Sequence, residues 1–373
     1  MIYLDSAATT LQKPPSVARA SARAIQHLAS PGRGGHPPAA AAARVTFDCR
    51  ELAAELFHVP EPEQVVFTFN ATHGLNIAIK TLVHPNSRVV ISGYEHNAVT
   101  RPLHTIPNVE IRVAKSPLFD PETTIRAFQS ELEQGVDVAI CTHVSNVFGF
   151  ILPVESIAQL CQDYHVPLIL DVSQSAGCLP LDFHALGAAF MAMPGHKGLY
   201  GPQGTGLLLC GMKPTPLLEG GTGSESIRQE MPEFLPDRLE AGTHNVAGIA
   251  GLLEGLRYLK RRRISSIADH ERQLIRQLGE GLSHIPGIEV FQAKDPIVQA
   301  GVLSFRQKGE DCEVLGEKLG DRGIALRAGL HCAPLAHQSA GTLETGTLRA
   351  SVSDFNTQQE IQQVLRTMRN LER

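Results

Sequence analysis

Pro194-Gly195-His196-Lys197-Gly198, followed by Gly201-Pro202-Gln203-Gly204-Thr205-Gly206 and the apolar run Leu207 to Leu209, sets one lysine among glycines beside a strand-forming segment. An ammonium in that setting is poorly hydrated, which lowers its pKa and frees the amine as a nucleophile. Lys197 is therefore a candidate Schiff-base former, although an ordinary surface lysine in a turn fits the same run. Upstream, Pro167-Leu168-Ile169-Leu170-Asp171-Val172-Ser173-Gln174 reads as a buried apolar strand that delivers an acid at its carboxyl end. In open α/β sheets that edge is where ligands bind. A buried carboxylate needs a cationic partner, and the protonated pyridine nitrogen of pyridoxal 5'-phosphate (PLP) is one that also gives the lysine a task. An Asp that caps a following helix is the plainer alternative, and it leaves Lys197 without a role.

The pattern around these two stretches alternates. Gln64 to Thr68, Arg88 to Ser92, Val136 to Thr142, Leu168 to Asp171, Ala188 to Met193 and Gly206 to Cys210 read as strands, with helices over Thr72 to Leu82 and Val154 to Tyr164. This βαβ rhythm predicts an α/β fold with a mostly parallel central sheet. After about residue 250 the pattern changes to long helical stretches, Ile249 to Lys260 and Ser265 to Leu282, and then short separate strands such as Val302 to Arg306. That tail reads as a smaller α+β C-terminal domain. Between the two regions, Gly220-Gly221-Thr222-Gly223-Ser224 and the Pro-punctuated stretch to Pro236 form a long loop, and loops of that kind are usually functional or disordered.

A chain of 373 residues, 43% hydrophobic and 19% charged, has enough apolar material for a large core and more than one domain. The formal charge of -5, from 33 basic and 38 acidic residues, points to neither nucleic acid nor an anionic membrane as a partner. Lys260-Arg261-Arg262-Arg263 reads as a solvated helix end, where cations favour the dipole. No apolar run approaches a membrane span, and Met1-Ile2-Tyr3-Leu4-Asp5 lacks a basic region followed by a hydrophobic one, so a cytoplasmic protein is expected. The 7 cysteines are scattered, without C-x-x-C pairs or zinc spacing, which predicts free thiols and no metal site.

Four further clusters carry chemistry. Phe69-Asn70-Ala71-Thr72-His73-Gly74 sits at a turn from strand to helix, where free amides and the Thr72 hydroxyl suit a phosphate; Thr72 as a simple N-cap fits the same residues. Glu95-His96-Asn97-Ala98 follows a strand and offers an imidazole able to stack on a pyridine ring and move protons, though a structural histidine is the commoner case. His143 to Gly149 offers the Asn146 amide to a ring hydroxyl or a substrate. Arg327-Ala328-Gly329-Leu330-His331-Cys332-Ala333-Pro334, with Arg349 beyond it, supplies guanidinium forks for a carboxylate and a loop thiol in an accessible, activatable setting.

In order and in residues these clusters resemble the class V, fold-type I PLP-dependent aminotransferase superfamily, and within it the cysteine desulfurase and selenocysteine lyase branch. The resemblance begins at Tyr3-Leu4-Asp5-Ser6-Ala7-Ala8-Thr9-Thr10, runs through Glu95 to Ala98, His143 to Gly149, Asp171 to Gln174, Gly195-His196-Lys197 and Glu240-Ala241-Gly242-Thr243, and ends at Arg349 to Thr357. It implies a large PLP-binding domain over 15–250 and a small domain from 1–14 plus 251–373. By the same resemblance Lys197 carries the cofactor, Asp171 faces the pyridine nitrogen, Gln174 donates to the ring oxygen and His96 stacks on the ring. Ala71, Thr72 and His196 fall at phosphate-binding positions. Thr243 matches a residue given across a dimer interface to the other subunit's phosphate, which implies a homodimer with shared active sites. Asn146 and Arg349 match positions that orient the substrate, and Cys332 the thiol that receives sulfur. The implied activity is conversion of L-cysteine to L-alanine with sulfur transferred to Cys332 as a persulfide, then passed to an acceptor protein. Selenocysteine lyase, acting on L-selenocysteine, or another class V lyase or aminotransferase, is the alternative within the branch. One departure stands beside the lysine: where many relatives carry a phosphate-binding Ser or Thr, this chain has Pro194, which offers neither hydroxyl nor amide hydrogen.

Overall fold

The computed structural model describes residues 1–32 and 34–371. Its centre is a seven-stranded sheet in the spatial order Val65–Thr68, Gly206–Cys210, Phe190–Pro194, Leu168–Asp171, Val138–Thr142, Arg88–Ser92, Glu110–Ala114. All neighbours run parallel except Gly206–Cys210, which is antiparallel to both of its partners. The α/β fold with a mostly parallel sheet is thus the one expected from the alternating pattern. Element ends differ from the expectation by one to three residues, as at Val138 rather than Val136 and Val246 rather than Ile249, because strand and helix termini depend on tertiary hydrogen bonds.

The apolar strands are continuous because both faces of the sheet are covered. Ile91, Ile140, Ile169, Phe190 and Leu208 pack into one core with Leu75, Ile79 and Leu103 of the helices Ala71–Leu82 and Asn97–His104. Their chain neighbours Val90, Cys141, Leu170, Met191 and Leu209 point the other way, into a second core with Phe57, Phe128 and Ile157. This alternation is the two-residue period of a strand. The helix Val246–Arg262 covers that second side, contributing Ile249, Leu252 and Leu256.

The C-terminal region builds its own core. A four-stranded antiparallel sheet, Arg327–Gly329, Thr347–Ser351, Val302–Gln307, Ile288–Phe291, packs Leu303, Phe305 and Leu348 against Leu274 and Leu278 of helix Ile264–Ser283 and Ile361 and Leu365 of helix Gln358–Leu371. The N-terminal strand Ile2–Tyr3 pairs in parallel with Ile324–Ala325, and Ser351 donates its backbone N–H to the Leu4 carbonyl at 2.7 Å. The start of the chain is thereby stitched to its last sheet. Among the described residues no helix is long and apolar enough to cross a membrane.

Gly149 joins the two regions. Its carbonyl accepts from Ala300 N–H at 2.8 Å, its φ is +71°, and a Cβ there would lie 2.4 Å from the Val302 carbonyl oxygen. Only glycine fits both the left-handed backbone and the close approach. Gly149→Ala is expected to lower unfolding stability by on the order of 1–3 kcal/mol through backbone strain, with displacement of the 300–302 segment adding to the loss. Urea titration checks this, and an unchanged midpoint and slope would refute it.

Candidate active site

Four parallel strands end along one edge of the large sheet, at Ser92, Thr142, Asp171 and Pro194, and the loops leaving them carry His96, Asn146, Ser173 and Lys197. This is the carboxyl edge at which open α/β sheets place their ligands. A pocket there, about 90 Å³, is lined by Ala71, Thr72, His96, Asn146, Asp171, Gln174, Pro194, His196 and Lys197 together with five neighbours. Eight of the eleven residues singled out in the sequence therefore meet on one pocket. Arg349, Cys332 and Thr243 do not line it.

Lys197 is half-buried on the pocket wall, and desolvation by burial brings its amine down to about 8; the carboxylate of Asp171 works in the opposite direction, and Arg349 adds to the lowering. An ordinary exposed surface lysine would not share this pocket wall with the buried Asp171. Asp171 is only 3% exposed. Its Oδ1 accepts from the Ser173 backbone N–H at 2.9 Å and from the Ser173 hydroxyl, while Oδ2 has no hydrogen bond among the described residues and belongs to the pocket lining. A buried carboxylate with one oxygen anchored and the other free suits a protonated ring nitrogen, which would supply the missing partner.

The helix Ala71–Leu82 points its N-terminus at the pocket. Asn70 is its N-cap, accepting the His73 N–H at 2.9 Å through Oδ1. Thr72 is not the cap, so its hydroxyl and the first backbone amides remain available to an anion. Across the pocket, His196 contacts Thr9 Oγ1 through Nδ1 at 3.0 Å, and burial lowers its pKa to about 4, so the ring is neutral at physiological pH. Its carbonyl ties down the N-terminal segment, accepting from the Thr10 N–H at 3.1 Å and the Thr10 hydroxyl at 3.0 Å. Pro194 ends its strand opposite Gly206 and faces the same pocket, without a donor for a phosphate.

His96 caps the helix Asn97–His104, and its Nδ1 accepts from the Ala98 N–H at 3.0 Å. That bond leaves any ring proton of the neutral form on Nε2. Burial lowers its pKa, with Asp171 opposing. Gln174 spends one amide hydrogen on the Ala7 carbonyl at 3.0 Å, leaving the other for a ring oxygen. Asn146 donates to the His331 carbonyl at 2.8 Å, and the Asn97 N–H donates to the Cys332 carbonyl at 2.8 Å. These two bonds pin the loop carrying Cys332 to the edge of the large sheet. Cys332 itself is exposed, with φ +56°, next to His331 at φ +50°. Two consecutive residues in the left-handed region are strained backbone, and they present the thiol outward.

Arg349 is 2% exposed, and burial lowers its pKa. It donates through Nη1 to the Asn146 carbonyl at 3.0 Å and through Nη2 to Asp5 Oδ1 at 2.9 Å, while its buried Nε has no partner. Arg327 holds the same Asp5, Nη2 to Oδ2 at 2.8 Å. Asp5 thus neutralises two guanidinium groups beside the pocket, a role its sequence position does not betray, since its partners lie more than three hundred residues away. Glu95, beside His96 in its motif, also gains its role from burial. It is buried, accepts the Thr142 N–H at 2.7 Å and the Ser92 hydroxyl, and burial raises its pKa to about 8. Thr243 lies exposed on a different surface, in a loop fixed by Glu240, which takes Nη1 and Nη2 of the buried Arg50 at 2.9 Å each and the Phe67 N–H at 2.7 Å. Among the described residues no cluster of three or more His, Cys, Asp or Glu side chains is arranged to hold a metal.

Comparison with known proteins identifies the family and the fold. The model of the aminotransferase class-V family matches residues 2–364. A "Probable cysteine desulfurase" of Methanothermobacter thermautotrophicus is 32% identical over 384 residues, covering 99% of this chain and 94% of that protein. A "Probable cysteine desulfurase" of Mycolicibacterium paratuberculosis is also 32% identical over 100% of this chain, which spans only 55% of that relative's length. Among solved structures, the apo form of a cysteine desulfurase from Thermococcus onnurineus superposes with a TM-score of 0.93 at 28% identity, covering 99% of this chain and 94% of the other.

The lowered pKa of Lys197 gives a direct test in cofactor-free protein. Labelling by an amine-reactive reagent, followed by peptide mass spectrometry across a pH series, should show a midpoint near 8 for Lys197. Exposed lysines should titrate near their ordinary value of about 10.4. Asp171→Asn removes the charge that stabilises the ammonium and should move the Lys197 midpoint lower; a parent midpoint at the ordinary lysine value would contradict the burial argument.

Proposed function

Because the chain belongs to the aminotransferase class-V family and gathers a half-buried lysine, a half-anchored carboxylate and a neutral histidine on one pocket, we propose that it is a PLP-dependent cysteine desulfurase. The single observation that carries the reading is that Lys197, with its amine desolvated, and Asp171, with Oδ2 unbonded, line one pocket. The residues fit the cofactor at each end: Asp171 for its ring nitrogen, Gln174 for its ring oxygen, and Ala71, Thr72 and His196 for its phosphate. With Pro194 withholding one donor, cofactor retention should be weaker than in relatives with Ser or Thr there.

When bound, the cofactor supplies an electron sink for the pair released at the substrate Cα. Lys197, whose lowered pKa leaves a large share of its amine neutral near pH 8, takes the Cα proton onto Nζ. Asp171 keeps a proton on the pyridine nitrogen through Oδ2, and His96 exchanges protons at Nε2. Arg349 and Asn146 orient the amino acid, Arg349 through N–H groups not spent on Asp5 and Asn146. The Cys332 thiolate attacks the cysteine sulfur: a sulfur–sulfur bond forms, the carbon–sulfur bond breaks with its electron pair moving to carbon, and protonation there yields L-alanine. L-cysteine and a thiol thus become L-alanine and a persulfide, with no external oxidant. Exposure of Cys332 supports onward transfer of its sulfur to an acceptor protein.

The exposed Thr243 loop, braced by the buried Arg50–Glu240 pair, supports a homodimer in which each Thr243 reaches the partner subunit's phosphate. We place the active site where the large unit, 15–250, meets the small unit, 1–14 plus 251–373. Free cysteines at all seven positions support a reducing, cytoplasmic setting.

Purified protein supplied with PLP should be yellow, and borohydride should fix the cofactor mass on the peptide containing Lys197. Cys332→Ala should keep the colour and the cofactor attachment while reducing alanine release from cysteine by at least about a hundredfold, the lower range for loss of a catalytic group. Alanine formation by Cys332→Ala at the parent rate would exclude persulfide chemistry and favour a selenocysteine lyase or β-lyase. A parallel assay with L-selenocysteine separates those two.

A further inference from the structure

Lys197 lines a second, smaller cavity of about 20 Å³, together with Cys178, Tyr200, Gly301, Ser353 and Glu271. That volume holds a single water, and the lining is polar enough to retain one. Glu271 comes from the helix Ile264–Ser283, is 4% exposed, and has as its only hydrogen bond among the described residues the Cys178 thiol at 3.9 Å from Oε1. A nearly buried carboxyl with no stronger partner is costly unless something mobile satisfies it. Space for it is left by Gly301, where a Cβ would lie 2.6 Å from Oε2.

We propose that Glu271 exchanges a proton with Lys197 through water held in this cavity. The assignment rests on the reading above, in which Lys197 takes the Cα proton. One N–H bond of the ammonium breaks, its proton passes to the water, and another proton of that water bonds to Oε2 of the carboxylate. The ion pair becomes a neutral amine and a neutral acid, and the reverse transfer restores the proton for product formation. Two features support it besides the shared cavity. Burial raises Glu271 to about 8 and lowers Lys197 to about 8, so the proton moves between sites of similar affinity. The other groups facing the pair leave that match in place. Asp354 adds to the raising of Glu271 but is itself held by Arg262 at 2.8 Å and by the Tyr258 hydroxyl. Cys178 and Tyr200 have pKa values pushed well up by burial and stay neutral. On the Lys197 side stand Asp171, Asp5, Arg349, Arg327, His96, whose pKa burial lowers, and the neutral His196. Glu271 is a positioning residue in this scheme, because it acts only through Lys197.

The test compares Glu271→Gln with the parent holoenzyme, using α-deuterated L-cysteine across a pH series. The expected result is a roughly tenfold lower kcat, the low end for proton-transfer groups, with KM, cofactor absorbance and melting temperature unchanged. Of the two ionisations near pH 8 in the kcat profile, that of Glu271 should be lost and that of Lys197 should remain, and more deuterium should be retained in the alanine, because Lys197 no longer passes its proton to solvent. Identical profiles and retention in both proteins would overturn the proposal. If Glu271→Gln does not fold, Gly301→Ala displaces the carboxyl and should produce the same changes. A parent enzyme that releases no alanine would defeat the desulfurase reading alone. The relay is then judged in cofactor-free protein, where Glu271→Gln should lower the pH midpoint of Lys197 labelling and an unchanged midpoint would refute it.

Discussion

Burial of the Lys197 amine beside the Asp171 carboxylate is the constraint to which the rest of the site is fitted. Each group is costly to enclose alone, and the enclosure is what makes each reactive. The enclosure follows from the sheet. Strands covered on both faces by helices end at one edge, so a residue at a strand's end is sheltered by protein yet still reaches a ligand. Asp171 occupies such an end, and Lys197 the turn after the next strand.

A second layer of ion pairs holds the surrounding parts in register. Asp5 lies between Arg327 and Arg349, so the first residues of the chain, an edge strand and a central strand of the small sheet converge on one carboxylate. This leaves Arg349 buried and fixed at two points, with donors to spare for a substrate carboxylate. Arg50 and Glu240 do for the Thr243 loop what Asp5 does for Arg349: a hydrogen-bonded buried pair sets the backbone from which a working side chain projects. Losing one member of such a pair would strand the other charge in the interior.

Legibility of this architecture in the sequence varied with the range of the interaction. The strands were readable because a two-sided buried strand is a continuous apolar run, and Leu168 to Asp171 and Gly206 to Cys210 appear in the structure with the expected limits. Thr72 shows the limit of local reasoning: helix capping and phosphate binding use the same residue types, and only the Asn70 hydrogen bond assigns the cap. Asp5, Glu95 and Glu271 were invisible as functional candidates, since each is an ordinary acidic residue whose meaning comes from burial against sequence-distant partners. The convergence of His96, Asn146 and Lys197 was suggested by motif order, whereas the anchoring of the Cys332 loop by Asn97 and Asn146 needed coordinates.

By itself the sequence determined the α/β class, the strand that ends in Asp171, the glycine-flanked Lys197 and the family to which their order belongs, because these depend on local periodicity and on residue chemistry. Tertiary structure decided which charges are shared, which hydroxyls stay free, and that one lysine borders two cavities. Those outcomes depend on burial and on distances between residues far apart in the chain, and desolvation, which grows only when the chain closes around a group, is the physical term that turns ordinary side chains into reactive ones.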